Sequence, residues 1–145
     1  APDRELLEML AVECAKEPSQ VNTFQYAFAL CQSTTPAEQR YALSILDGLV
    51  QEGYEHQTDC FYGAATALYL LKNYDEARTR CEAILRNSPE NRNAAELHLA
   101  CIEAAEEVAA KEKKRLAFLA IGSTTSLAAA GLVLGVATIL MKGRR

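Results

Sequence analysis

Two stretches of the chain carry the same order of apolar and polar positions at one fixed offset. FQYAFALCQSTTPAEQRYALSILDGLVQEG, beginning at Phe24, and DCFYGAATALYLLKNYDEARTRCEAILRNSP, beginning at Asp59, align Tyr26 with Phe61, Ala29 with Ala64, Ala42 with Ala77 and Leu46 with Cys81, each pair 35 residues apart. A unit of about 34 residues built from two antiparallel helices is the tetratricopeptide pattern. In the second copy Phe61, Ala64, Ala65, Leu68, Ala77, Cys81, Ile84 and Pro89 occupy its framework, whereas the first copy is looser and lacks the closing proline. Small residues such as Ala42 and Ala77 let the paired backbones approach.

Punctuation supports the same division. Thr35-Pro36-Ala37-Glu38 reads as a capping box with proline at the first helical position, and Ser88-Pro89 reads as the start of the last helix. The predicted helices run over 3–16, 19–33, 36–51, 56–71, 74–87 and 90–114. Two repeats leave their outer faces uncovered, so the first and last helices are expected to act as caps. The last one is apolar at Ala94, Leu97, Leu99, Cys101, Ile102 and Ala105 and is expected to lead into the next segment with little linker.

That segment changes character. Residues 116–141, LAFLAIGSTTSLAAAGLVLGVATILM, run 26 positions without a charge. At ~1.5 Å per residue a helix of that length covers about 39 Å, against roughly 30 Å of hydrocarbon in a bilayer. Apolar residues fall on every side of it, leaving no polar stripe for water, which favours a membrane span over a buried core helix. Basic residues flank it: Lys111, Lys113, Lys114 and Arg115 before, Lys142, Arg144 and Arg145 after. With four residues beyond the span, the expectation is a tail anchor inserted after translation, with the basic run at the cytoplasmic surface near anionic lipid. Gly131 and Gly135 form a GxxxG that would allow a close helix dimer and so a homo-oligomer, although such spacing arises readily in a Gly- and Ala-rich span.

Charge separates the two parts further. Residues 111–145 hold seven basic residues and one acid, a net of +6, so residues 1–110 carry 8 bases and 18 acids, a net of −10. An acidic domain argues against nucleic acid, which needs clustered Lys and Arg. The opening, APDRELLEML, is charged where a secretory signal would be apolar. Cysteines 14, 31, 60, 81 and 101 form no CxxC pair and read as small buried residues with reduced thiols, so no metal site is expected. His56 and His98 stand apart from any ligand set, Glu103, Glu106 and Glu107 read as a solvated helix face, and no phosphate loop or catalytic carboxylate pair is present. Neither an enzyme nor a cofactor is expected.

TFQYAFAL in the first repeat, LYLLKNYDEA in the second, NSPENRNAAEL at the start of the last helix and then the basic-flanked apolar tail resemble, in that order, the mitochondrial fission 1 family over nearly the whole chain. The resemblance implies an all-α fold: a six-helix bundle with two tetratricopeptide-like helix pairs in a cytosolic domain over 1–114, then a single C-terminal transmembrane helix within 115–145. It implies an adaptor of the mitochondrial outer membrane and of peroxisomes that helps recruit a dynamin-related GTPase, directly or through a bridging adaptor protein. The family's amino-terminal arm, which can lie in the repeat groove, is short here, since only Ala1 to Arg4 could serve.

In such repeats the first helix of each pair lines the concave face. The register puts Phe24, Ala27 and Cys31 there from the first copy and Asp59, Tyr62, Thr66 and Tyr69 from the second. Residues 19–35 and 55–71 contain no Lys or Arg, which disfavours a clamp for a peptide carboxylate and suits an amphipathic or basic helix. The tyrosines equally allow a plainer reading in which they pack the core with their hydroxyls at its edge. The rival function is a receptor or tether on the same membrane that binds amphipathic segments in protein import or organelle contact.

Overall fold

Three of the six described helices begin where a short polar side chain accepts from one of the free N–H groups. In the computed structural model, which describes residues 1–127, Asp3 caps α1 (Arg4–Lys16) by accepting from the Glu5 N–H at 3.3 Å. Ser19 caps α2 (Gln20–Leu30) by accepting from the Asn22 N–H at 3.1 Å. Caps of this kind are worth about 1 kcal/mol each. Then follow α3 (Pro36–Gln51), α4 (Gln57–Leu70), α5 (Tyr74–Asn87) and α6 (Arg92–Leu127). The described residues are thus all-helical, in the order the repeat pattern predicts.

Three helix ends and one cap depart from the sequence-based expectation. Helix α2 stops at Leu30 because the Gln32 and Ser33 N–H groups turn back onto the Ala29 and Leu30 carbonyls at 3.3 and 3.0 Å. Thr35 makes no side-chain cap on α3, so the capping box does not form. Glu38 is instead held by Arg4 of α1, at 2.9 and 3.0 Å, and by the Ser33 hydroxyl at 2.5 Å. Arg4 thereby ties α1 to the start of α3 and is not a free arm. At the last helix, Asn91 and not Ser88-Pro89 supplies the cap, its Oδ1 accepting from the Ala94 N–H at 3.0 Å. Helix α6 also continues to Leu127, well past the expected end at 114.

The chain divides by packing into residues Ala1–Ala105 and the part from Glu106 onward. In the first unit, Leu7, Ala27, Leu30, Cys31, Ala42, Leu46, Leu49, Tyr54, Cys60, Ala64 and Ala67 form one core across α1 to α4. Leu68, Ala77 and Cys101 form a second, carried by α4, α5 and α6 and joined by Leu43, Tyr69 and Leu97. Ala42 and Ala77 are fully buried, as close helix pairing demands. Gly63 is closer still: a Cβ there would stand 2.9 Å from Leu46 Cδ1 and 3.1 Å from Phe28 Cδ1, so α4 sits against α2 and α3 only because the residue has no side chain. Arg80 on α5 grips Asp47 on α3 through two hydrogen bonds of 2.5 and 3.2 Å, linking the repeats across their outer helices.

In the second unit the described chain remains helical. Lys111 pairs with Glu107 at 3.0 Å and Arg115 with Glu112 at 2.7 Å, while Leu116, Phe118, Leu119 and Ile121 are exposed. Among the described residues no helix is long and apolar enough to cross a membrane. Most of the span expected over 116–141 lies outside the described residues, as do Gly131, Gly135, Lys142, Arg144 and Arg145.

Candidate partner-binding face

The first-repeat candidates are largely consumed by the domain itself. Ala27 and Cys31 are buried at 0% and 1% exposure and belong to the core, so neither presents surface to a ligand. The Cys31 thiol is pushed up to about 12 by burial, and it donates to the Phe28 carbonyl at 2.9 Å. Phe24 is half-buried, its ring 5.1 Å from Phe28 and 5.6 Å from Tyr54, which follows α3. Tyr54 in turn meets His56 edge-on at 5.3 Å. Phe24 is thus one member of an aromatic cluster that seals the junction between α2 and the start of α4.

The second-repeat candidates remain available. Asp59 is exposed, and Tyr62, Thr66 and Tyr69 are half-buried at successive turns of α4. Thr66 donates to the Tyr62 carbonyl at 3.0 Å, which satisfies its hydroxyl within the helix. Tyr62 is raised above its ordinary pKa, chiefly by burial, with Cys81, Glu96 and Cys31 adding to the rise. Those neighbours place Tyr62 within electrostatic range of α5, α6 and α2 together. Tyr69 packs on the second core and its ring lies 5.4 Å from Tyr74, the first residue of α5. The result is a row of two phenol rings and a threonine along α4, part core and part surface.

No cation lies on α2 or α4, and Glu96 of α6 adds acidity beside Tyr62. Glu96 was missed by the repeat register because it belongs to the capping helix, outside both copies. Phe28 was missed as well, although Gly63 at an otherwise bulky interface pointed to a large opposing side chain. Two open clefts lie away from these residues, about 410 Å³ beside Pro18, Thr23, Ile45 and Glu52, and about 550 Å³ beside Thr79, Glu82, Arg86 and His98. His98 Nε2 stands 3.5 Å from Glu82, and His56 Nε2 3.4 Å from Glu55. Among the described residues no group of three or more His, Cys, Asp or Glu side chains is placed to hold a metal ion. All five cysteines are free, four buried and Cys14 partly exposed. Of the basic flank, Lys111, Lys113, Lys114 and Arg115 are described, and all four are exposed on α6.

Paired helices with small residues at their crossing, capped at both ends and lined on one side by half-buried aromatics, define a tetratricopeptide-type binding domain. Residues 58–106 match the model of the Fis1 C-terminal tetratricopeptide repeat. The mitochondrial fission 1 protein of Neurospora crassa is 33% identical over 94 residues, covering 63% of this chain and 61% of that protein. That of Kluyveromyces lactis is 25% identical over 145 residues, covering 96% and 86%. By these matches the chain is similar to mitochondrial fission 1 proteins, most specifically over its second repeat and the start of its last helix. Among solved structures, yeast Fis1 in complex with an Mdv1 fragment containing N-terminal extension and coiled-coil domains superposes with a TM-score of 0.70 at 20% identity, covering 74% of this chain and 89% of that one, a likeness of fold. The N. crassa alignment spans about three fifths of that relative's length.

Proposed function

We propose that this chain is an adaptor of mitochondrial fission, anchored in the outer membrane by residues 115–145, whose domain over 1–114 offers the α4 face to a bridging adaptor and through it to a dynamin-related GTPase. The observation that carries this reading is the row Tyr62, Thr66 and Tyr69, half-exposed on a helix that carries no cation. Aromatic side chains with one buried edge and a polar tip are favoured anchors in protein interfaces. Similarity to mitochondrial fission 1 proteins supports the process, and yeast Fis1, which shares the fold and was solved with an Mdv1 fragment, supports a protein segment as the kind of partner. Peroxisomes are a second site of action in this proposal, and the basic residues from Lys111 to Arg115 would rest at the lipid surface. Confinement to a surface raises effective concentration, so a weak groove suffices when its partners are multivalent. Constriction is the work of the recruited GTPase.

The test is depletion of the protein in its own cells, with mitochondria and peroxisomes measured in the same images. Fewer and longer organelles are expected. Organelles of normal length together with impaired uptake of matrix proteins would overturn the proposal in favour of an import receptor.

A further inference from the structure

Helices α3 and α4 end in the same hydrogen-bonded motif but with different residues. At the end of α3, the Tyr54 N–H donates to the Leu49 carbonyl at 3.0 Å and the Gly53 N–H to Val50 at 3.1 Å. At the end of α4, the Asn73 N–H donates to Leu68 at 2.9 Å and the Lys72 N–H to Tyr69 at 3.0 Å. Both are Schellman closures, which place their pivotal residue in the left-handed region that glycine adopts freely. Gly53 has φ 77°, but Lys72 has φ 66° and is the one residue with a side chain in that region among those described. Strain of this kind, where glycine serves elsewhere in the same chain, motivates a functional reading of the side chain.

Lys72 is exposed, and among the described residues no ion pair or side-chain hydrogen bond involves its ammonium. The nearby Glu76 is engaged by Asn73 at 2.9 Å and by Arg80 at 3.7 Å. Lys72 follows Tyr69 directly after the last turn of α4 and lies between the paired rings of Tyr69 and Tyr74 in sequence. At the other end of the same helix stands Asp59, with Glu96 of α6 close to Tyr62. From Asp59 to Lys72 the chain advances roughly 20 Å at the helical rise. Helix α4 thus begins with an exposed acid, Asp59, and is followed by an exposed cation, Lys72, with the two tyrosines between them along the chain.

We infer that Lys72 is a specificity residue of this face: it engages a carboxylate side chain near one end of an amphipathic helix whose other end is basic, and so fixes the direction in which the partner helix lies. The inference rests on the proposal that the α4 face binds a partner. Opposite charges at the two ends oppose the reversed orientation by placing like charges together.

The experiment is a selection of displayed amphipathic peptides of about 18 residues, long enough to match the face, against the full chain in lipid nanodiscs. Their apolar stripe is fixed and their polar positions vary among Lys, Glu, Gln and Ser. The wild type is expected to enrich Glu toward one end and Lys toward the other. Lys72→Gly, which relaxes the turn and keeps the fold, should abolish the Glu enrichment and weaken a wild-type-selected peptide about three- to fivefold, as for a single exposed ion pair. Lys72→Arg should bind within about twofold of wild type. Peptides retained without Glu enrichment, or bound equally by Lys72→Gly, would overturn the role of Lys72 while leaving the face intact. Retention of no peptide by any of the three proteins would instead sink the binding face, and this inference with it.

Discussion

The two repeats share a backbone plan and spend their first helices differently. In the first, the positions facing the concave side are Ala27 and Cys31, both buried, and Phe24, locked against Phe28 and Tyr54. In the second, the equivalent positions hold Tyr62, Thr66 and Tyr69, each half-exposed. The first repeat is packed from two sides, since Leu7 of α1 joins its core. The second must carry both the junction with α6 and whatever it presents outward. Equivalent sequence positions can thus be structural in one copy and available in the other, according to side-chain length and which capping helix lies alongside.

The contrast can be broken most severely at the shared interface. Leu46 is fully buried between the repeats, and Leu46→Ala should cost about 2–5 kcal/mol in denaturant unfolding, because the vacated space cannot fully collapse. Gly63→Val comes next. Its side chain must displace Leu46 and Phe28, and overpacking of this kind costs about 1–3 kcal/mol. Thermal unfolding followed by circular dichroism should show both losses. Stability unchanged at Gly63 would mean that the close approach of α4 to α2 is not needed.

Lys72→Gly should act in the opposite direction, raising stability by about 1 kcal/mol through relief of the left-handed strain. A fall in stability would show that the lysine side chain supports the fold. The smallest effect is expected at the polar clasp of the first repeat. Glu38 is held below the usual carboxylate range by hydrogen bonds from Arg4 first and Ser33 next. A folded-state value lower than the unfolded one stabilises above the unfolded pKa and is lost as pH falls through the folded one. Arg4→Ala should therefore lower stability slightly near neutrality and converge with wild type in acid, where a constant difference at all pH values would contradict the assignment.

Much of the fold was legible because its determinants are local. Pro36 at the start of α3 and the small residues at positions 42 and 77 require no knowledge of partners, and the bounds of α1 to α5 follow within three residues. The last helix was placed too early because Ser88-Pro89 and Asn91 are both acceptable starts in sequence, and the Asn91 side chain is the one that caps. The capping box failed for a long-range reason, since Arg4 lies 34 residues from Glu38. The binding face was legible in direction but not in depth. Register tells which way a residue points around a helix, but whether Ala27 or Cys31 reaches the surface depends on the neighbours that cover it. Glu96 and Lys72 lay outside the repeat register, one on the capping helix and one in the turn after α4, and only the assembled domain brings Glu96 near Tyr62.

That the second repeat carries the partner-binding face is tested most directly by re-expressing Tyr62→Ala/Tyr69→Ala in depleted cells and measuring mitochondrial length. The protein should reach the same membrane level and keep its helical circular dichroism, while mitochondria stay as long as in depleted cells. Restoration of normal length by this variant would contradict the claim and move the binding face elsewhere on the domain.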